Sequence, residues 1–272
     1  MLFRLAFALV SVTALLVDPI DAVSQDMLRS VDLNSPEMTA SEMTRAEVEA
    51  LLKAAHHDPA GQPSADLEGK RLSHLDLSGL DFSGSNLRLA KLNGTNLKGA
   101  RFDRAILNQA WLIDADLAEA SLVKASLLGT QMQRARLGGA DLSGARITAD
   151  LSGASLIGAK LAGADLSADM RNQSMGLMRG VLKSADLRNA DLSGANLARA
   201  SLEFAKLQNA NLANCNLNRA DLAGADLSNA NLAGADFTET DLASALLPSA
   251  TALAEARNLD KASNLNLARR PR

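Results

Sequence analysis

The sequence predicts an all-β solenoid, a quadrilateral parallel β-helix with a short capping helix at each end. Two observations predict this fold. From about Asp66 to about Leu247 an apolar residue recurs every five positions, and the residue two places before it is small. A five-residue period fits neither the helical spacing of three and four residues nor the alternation of a strand. If the chain bends by about ninety degrees in each unit, four units close a coil, and successive coils stack at about 4.8 Å.

Each unit reads alanine, then aspartate or asparagine, then leucine, then two variable residues, as from Ala190 to Gly194. The leucine and alanine columns should form a dry, continuous core, in which the burial of each leucine contributes about 1.5–3 kcal/mol. Aromatic residues are only 3% of the chain, which fits a core too narrow for rings. The register loses one residue between Ile147 and Leu151, and we expect one residue to bulge out between Leu166 and Leu177.

Three successive units from Ala185 to Arg199 carry the full pattern. On these and the neighbouring units the chain resembles the pentapeptide-repeat family over about two-thirds of its length. The resemblance implies a right-handed quadrilateral β-helix over residues 61–248. About nine coils would form a rod of roughly 40 Å, held together by contacts between neighbouring coils.

The same resemblance implies one defined function as an alternative. Some pentapeptide-repeat proteins mimic DNA, bind DNA gyrase and protect it from inhibitors. Those proteins are cytoplasmic, strongly acidic along the rod and joined end to end through a C-terminal helix. This chain has a net charge of only −3 and carries arginines in its outward columns, at Arg101, Arg104, Arg134, Arg136 and Arg146. Because DNA mimicry needs a dense negative field, and because the charge also argues against nucleic-acid binding, gyrase binding is the second hypothesis.

The first residues are typical of an export signal. Arg4 precedes an apolar run from Leu5 to Val17, which has the length of a signal peptide. We expect residues 1–22 to be removed after Ala22, although Ile20 is larger than usual at its position. The run is too short for a comfortable membrane span, so we expect a periplasmic or secreted protein with no span after signal removal.

The segments that flank the repeats are predicted to cap the open ends of the solenoid. Thr44 and Glu47 form a capping box, and Val48 and Leu52 follow at helical spacing, so this helix would cover the first coil. A similar apolar stripe follows the last unit. The assignments are a flexible leader at 23–43, capping helices at 44–60 and 249–263, and a basic, disordered tail at 264–272.

No active site is predicted, and we expect neither catalytic residues nor a cofactor. The aspartates before the leucines should bond backbone amides at the bends, and identical repeats cannot separate the pKa values of an acid and a base. They are Asp76, Asp81, Asp116, Asp141, Asp165, Asp186, Asp191, Asp221, Asp226, Asp236 and Asp241. Enzymes built on parallel β-helices, the hexapeptide acyltransferases and related zinc hydratases, have a six-residue period and histidines between coils, which this chain lacks.

No metal site is predicted either. His56, His57 and Asp58 are adjacent, but their spacing matches no standard zinc pattern. Cys215, the only cysteine, excludes an internal disulfide. It falls in the small inward column, where it should serve as a buried small residue. A redox or lipid role is the alternative.

Two departures from the pattern are candidate interaction surfaces. Ile106 and Trp111 stand in the column that is elsewhere polar, so both should face solvent beside Ile113. Lys91 is one coil away from Trp111 on the same face, where a cation–π contact is plausible. Such a group either marks a contact surface or consists of ordinary scattered surface residues.

The second departure is the break at 167–181. The residues that distinguish it are Met170, Arg171, Met175, Met178 and Arg179. Methionine is adaptable at contact surfaces, so the break is either a binding loop or a tolerated insertion, and a thioether copper site is its third interpretation. Together these features predict an exported, non-enzymatic scaffold with an unidentified protein partner, present as a monomer or an end-to-end homodimer.

Overall fold

The computed structural model describes residues 31–55, 65–169 and 178–270. Its coils are held together by single parallel β-bridges, arranged in four columns along the stack. In the regular coils each bridge joins residues 20 positions apart, as between Asp66 and Asn86. Backbone N–H groups of one coil donate to both neighbouring coils. Asn86 N donates to Ala65 O in the preceding coil at 2.8 Å, and Leu87 N donates to Ile106 O in the following coil at 2.8 Å. Each coil therefore consists of four pentapeptide sides, as the period predicts.

The predicted columns form the core. Leu192 and the other central leucines have no exposed surface, and Ala190 is 1% exposed. Aromatic rings nevertheless fit where they lie flat on one another, because Phe82 and Phe102 stack with ring centroids 4.9 Å apart and planes 4° from parallel. Phe237 is fully buried as well, so the expectation that the core has no room for rings is wrong.

The bends are produced at the second variable residue of each unit. Gly99 has φ 64° and Arg104 has φ 58°, both in the left-handed region. A residue in that region turns the chain, and the turn is closed by a bond such as that from Ala105 N to Phe102 O at 3.0 Å. Because the same conformation is adopted by many non-glycine residues, the stack imposes it through the bonds between coils.

Helical segments lie at both ends of the chain. They are α1 Pro36–Thr39, α2 Arg45–Ala55 and α3 Ala250–Leu253, followed by 3-10 turns at Leu259–Lys261 and Leu265–Leu267. In α2, Val48 is fully buried and Leu52 is 4% exposed, and both join the hydrophobic cluster that contains the leucines of the first coils. No helix among the described residues is long and apolar enough to cross a membrane.

The C-terminal segment differs from the predicted helix and tail. The helix expected over 249–263 is limited to Ala250–Leu253, and the chain then returns to the stack. Arg257, Ser263 and Arg269 each form a parallel bridge with the preceding coil. These residues are six positions apart, so a search for a five-residue period does not detect this coil. Residues 264–270 belong to the coil, and the prediction that they form a disordered tail is wrong.

The break after Leu166 is larger than predicted. Asp150 pairs with Val181, 31 residues later, whereas regular coils span 20. Among the described residues, Leu182 is therefore the next fully buried leucine of the column, and Leu177 lies outside them. The chain re-enters at Gly180, whose N–H bonds Leu166 O at 3.0 Å. Eleven additional residues are accommodated instead of one.

The predicted flexible leader is wrong for residues 33–43, which we call the strap. The strap contains α1, and Met38 within it is 4% exposed. Ser41 forms an antiparallel bridge with Leu72, and Glu42 N bonds Arg71 O at 2.9 Å. The strap therefore lies against the first coils, where its contacts are non-local and leave no periodic trace in the sequence.

Candidate interaction surface

The aspartates before the leucines are structural, as predicted. Asp76 Oδ1 accepts from Ser78 N at 3.1 Å, and Asp191 Oδ1 accepts from Ser193 N at 3.0 Å. All the aspartates named above make the same contact with the amide two residues on. Hydrogen bonds from Ser78 lower the pKa of Asp76, because they favour the charged carboxylate.

Asp221 differs from the other aspartates, and the repeat pattern gave no sign of it. Burial raises its pKa to about 6, and the charges of Glu203 and Asp241 act in the same direction, while the Ala223 amide and the charge of Arg179 oppose them. Asp221 and Asp241 are bridged in adjacent coils. Identical sequence units therefore do not guarantee identical environments, because the neighbours in the next coils differ.

Several outward cations are paired between or beside coils. Arg134 forms a two-pronged pair with Asp114, at 2.8 and 2.6 Å. Arg136 lies 2.8 Å from Asp116, and similar distances join Arg219 to Glu239. These pairs neutralise the sides of the solenoid locally, although each exposed pair contributes little to stability.

Lys91 and Trp111 lie on one side of the solenoid, which we call the Trp111 face, whereas Ile106 belongs to the bridge column of the neighbouring side. The bridge column of the Trp111 face consists of Arg71, Lys91, Trp111, Gln131, Asp150, Val181, Ser201, Asp221, Asp241 and Ser263. The first four of these positions carry no aspartate or asparagine, unlike most of the other columns. Their side chains are therefore not used for the turn bond of their own unit.

The individual surface candidates differ in their exposure and contacts. Lys91 and Trp111 are bridged one coil apart, as expected. Lys91 Nζ, however, lies 3.7 Å from a carboxylate oxygen of Glu37 in the strap. Trp111 and Ile106 are half-buried. Ile113 was expected near the surface but is only 5% exposed, and its N–H bonds Asn93 Oδ1 at 3.1 Å.

The candidates in the break are only partly visible. Met170, Arg171 and Met175 lie outside the described residues. Met178 O accepts from Asp169 N at 2.8 Å, and Arg179 is close enough to influence Asp221 electrostatically. Val181, the first bridged residue after the break, stands in the bridge column of Trp111, so the break returns to the solenoid on the Trp111 face.

Metal ligation was considered for the remaining histidine, cysteine and acidic residues. In the parts of the chain that are described, no three histidine, cysteine, aspartate or glutamate residues are placed to hold a metal ion. His56, His57 and Asp58 lie outside those parts. Cys215 is fully buried and donates to Leu192 O at 2.9 Å. Burial raises the pKa of its thiol to about 12, so it is the buried small residue that the column predicts.

The family follows from the repeats and the coil geometry together. The family model for pentapeptide repeats matches eight copies, over residues 71–109, 110–148, 149–168, 181–214 and 205–243. The chain belongs to the pentapeptide-repeat family. Proteins of this family fold as right-handed quadrilateral β-helices.

Solved structures similar to this chain include those of HetL and QnrB1. HetL, a pentapeptide-repeat protein involved in the regulation of heterocyst differentiation in the cyanobacterium Nostoc, is 28% identical, with a TM-score of 0.55 over 84% of this chain and 95% of HetL. QnrB1, a plasmid-mediated fluoroquinolone resistance protein, is 20% identical, with a TM-score of 0.48 over 75% of this chain and 85% of QnrB1. No curated protein sequence matches the chain.

Proposed function

We propose that the protein is an exported, non-enzymatic scaffold that binds a protein partner through the Trp111 face. The observation that carries this proposal is the loss of turn aspartates from the first coils of that face, where Arg71, Lys91, Trp111 and Gln131 stand instead. A half-buried tryptophan among cations and amides is typical of a contact surface, since aromatic and arginine side chains are enriched there.

Cross-linking from two sides of the solenoid tests this proposal. A photo-reactive amino acid replaces Gln131 on the Trp111 face, and Lys160, which belongs to another bridge column, serves as the matched control. We expect a discrete cross-linked partner from position 131 and none from position 160 in native cells. Equal capture from both positions, or none from either, contradicts the proposal.

Export is tested separately by cell fractionation and intact-mass measurement. A periplasmic or secreted species that begins near Val23 supports the assignment of residues 1–22 as a signal peptide. Such a species retains the strap, because the strap begins at Leu33. A full-length cytoplasmic species contradicts export and turns attention to gyrase.

Gyrase binding remains the alternative function. The ion pairs of Arg134, Arg136 and Arg219 with the acidic residues of neighbouring coils oppose it. They interrupt the negative field that a DNA mimic needs. A supercoiling assay with gyrase decides the matter, because the scaffold proposal predicts no change in supercoiling rate or in inhibitor sensitivity.

The two ends of the solenoid suggest where a homodimer would form, if the protein is not a monomer. At the N-terminal end α2 buries Val48 and Leu52, whereas Leu267 in the last coil is 55% exposed and Leu259 and Leu265 are only partly buried. We therefore place an end-to-end contact at the last coil. Light scattering of the wild type and of Leu267→Asp tests it, since only a dimer through this end dissociates in the variant.

A further inference from the structure

The strap is held against the solenoid in the manner of a bound peptide. The carbonyl of Met38 accepts hydrogen bonds from Ser73 Oγ at 2.8 Å and from Asn93 Nδ2 at 3.2 Å. The Met38 side chain is 4% exposed, and Ser73 is 2% exposed. One turn of helix, Pro36–Thr39, provides the only regular structure on this side of the contact. Side chains of the coils, together with the backbone pairing of Ser41 with Leu72, therefore position the strap.

Charge complements this recognition. Glu37 lies 3.7 Å from Lys91. Glu42 lies 3.2 Å from the guanidinium of Arg71 and 3.4 Å from Lys70 Nζ. An acidic segment thus lies on a basic surface, and the surface arises where cations replace the usual turn aspartates. We call Lys70, Arg71, Ser73, Lys91 and Asn93 the strap seat.

The column that contains Ser73 and Asn93 continues for two coils beyond the strap contacts. Its next members are Ile113 and Gln133, which are 5% and 6% exposed. Gln133 Nε2 donates to Gln131 and Asp150, at 2.9 and 2.8 Å. Gln133 Oε1 is buried and, within the described residues, has no hydrogen-bond partner. An unsatisfied buried acceptor is costly, and a backbone N–H of a bound segment would satisfy it.

We propose that the strap seat, extended by Ile113 and Gln133, is a peptide-binding groove whose ligand is a segment of a protein partner. The segment carries a carboxylate next to an apolar side chain, as Glu37 and Met38 do, and it displaces the strap. This inference rests on the proposed scaffold function and specifies its partner. The strap then acts as an internal competitor, because a tethered segment has a high effective concentration.

A labelled synthetic peptide of residues 33–43 tests the groove by fluorescence anisotropy with the full chain. Met38→Asp places a charge in the buried site of the strap, so it should release the strap and leave the seat free. We expect this variant to bind the peptide about tenfold or more tightly than the wild type does, because the apparent affinity scales with the free fraction of the site.

Charge reversal shows whether the seat is responsible. Lys91→Glu, added to Met38→Asp, should abolish binding, and a peptide that carries Glu37→Lys should restore it. Lys206→Glu, on a different bridge column, is the matched control and should leave binding unchanged. If circular dichroism shows that Met38→Asp does not fold, Glu37→Lys in the full chain replaces it, since that change only opposes Lys91.

Two results would overturn the groove. One is a folded strap-released variant that binds no peptide. The other is binding that Lys91→Glu leaves unchanged. The outcome is separable from that of the scaffold proposal. Peptide binding without cross-linked partners removes the scaffold function and leaves the groove as a seat for the strap alone. Cross-linked partners without peptide binding keep the scaffold function and remove the groove.

Discussion

Replacement of Asp221 by asparagine should stabilise the protein at neutral pH. Its side chain is partly buried beside the charges of Glu203 and Asp241, and its pKa is raised from 3.8 to about 6. A shift of this size corresponds to about 3 kcal/mol of penalty for the charged form. Because the group is partly exposed, solvent screening reduces the expected effect to about 1–2 kcal/mol.

The sign of the pH dependence follows from linkage. In the folded state Asp221 holds its proton more tightly than in the unfolded chain. Its contribution to stability is therefore complete below about pH 4 and is lost as pH rises to about 6. Asp221→Asn removes this loss and retains an oxygen for the bond from Ala223 N, which is 2.9 Å in the native turn. We expect the variant to exceed the wild type at pH 8 and to match it at pH 4.

Urea unfolding followed by circular dichroism measures both proteins at pH 8, 6 and 4. Asp76→Asn is the matched control, since hydrogen bonds from Ser78 lower the pKa of Asp76. The stabilising contribution of the Asp76 carboxylate is present above about pH 4 and is lost in acid. Asp76→Asn should therefore be less stable than the wild type at pH 8. The reasoning is refuted if Asp221→Asn is no more stable than the wild type at pH 8, or gains equally at pH 4.

Three further predictions concern the core and the re-entry point. Leu192→Asp should abolish folding, because it places a charge in a fully buried column, and an unchanged melting curve would contradict the stacked core. A Cβ on Gly180 would lie 2.9 Å from both Leu166 Cβ and Leu166 O, so Gly180→Ala should cost about 1–3 kcal/mol in urea unfolding. Gly138→Ala, whose Cβ would meet nothing closer than 3.8 Å, should stay within about 0.5 kcal/mol of the wild type, and equal effects of the two changes would refute the steric argument. Cys215, with its raised thiol pKa of about 12, should resist a thiol reagent in the native protein and react after denaturation, and rapid native reaction would mean that the column opens.

The solenoid and its turn bonds could be predicted because each depends on residues close in sequence. Asp191 accepts a hydrogen bond from the amide of Ser193, two residues on. The role of the aspartates in the turns can therefore be predicted from the local sequence. The strap could not be predicted, since Met38 contacts Asn93, 55 residues away. The half-burial of Trp111 and the burial of Ile113 were not predicted either. A polar column position indicates solvent only where nothing else in the fold covers it.

The length of the break was also beyond the sequence pattern. Leu177 continues the leucine spacing nearly as well as Leu182 does, so periodicity alone favours the smaller insertion. Pairing between coils sets the observed length, because Asp150 bridges Val181 and Gly180 passes against the backbone of Leu166. The final coil was not predicted because its bridged residues are six positions apart and do not continue the five-residue period. They are Arg257, Ser263 and Arg269.

The sequence by itself determined the coil, the buried columns and the family, because one local unit repeats and each copy meets neighbours like itself. Only the tertiary structure decided where the strap lies, how the chain re-enters at Gly180, and why Asp221 differs from Asp191. Each of these depends on which residues the stack brings together from coils 20 or more positions apart. Such contacts follow from register and packing, and a local repeat carries no information about them.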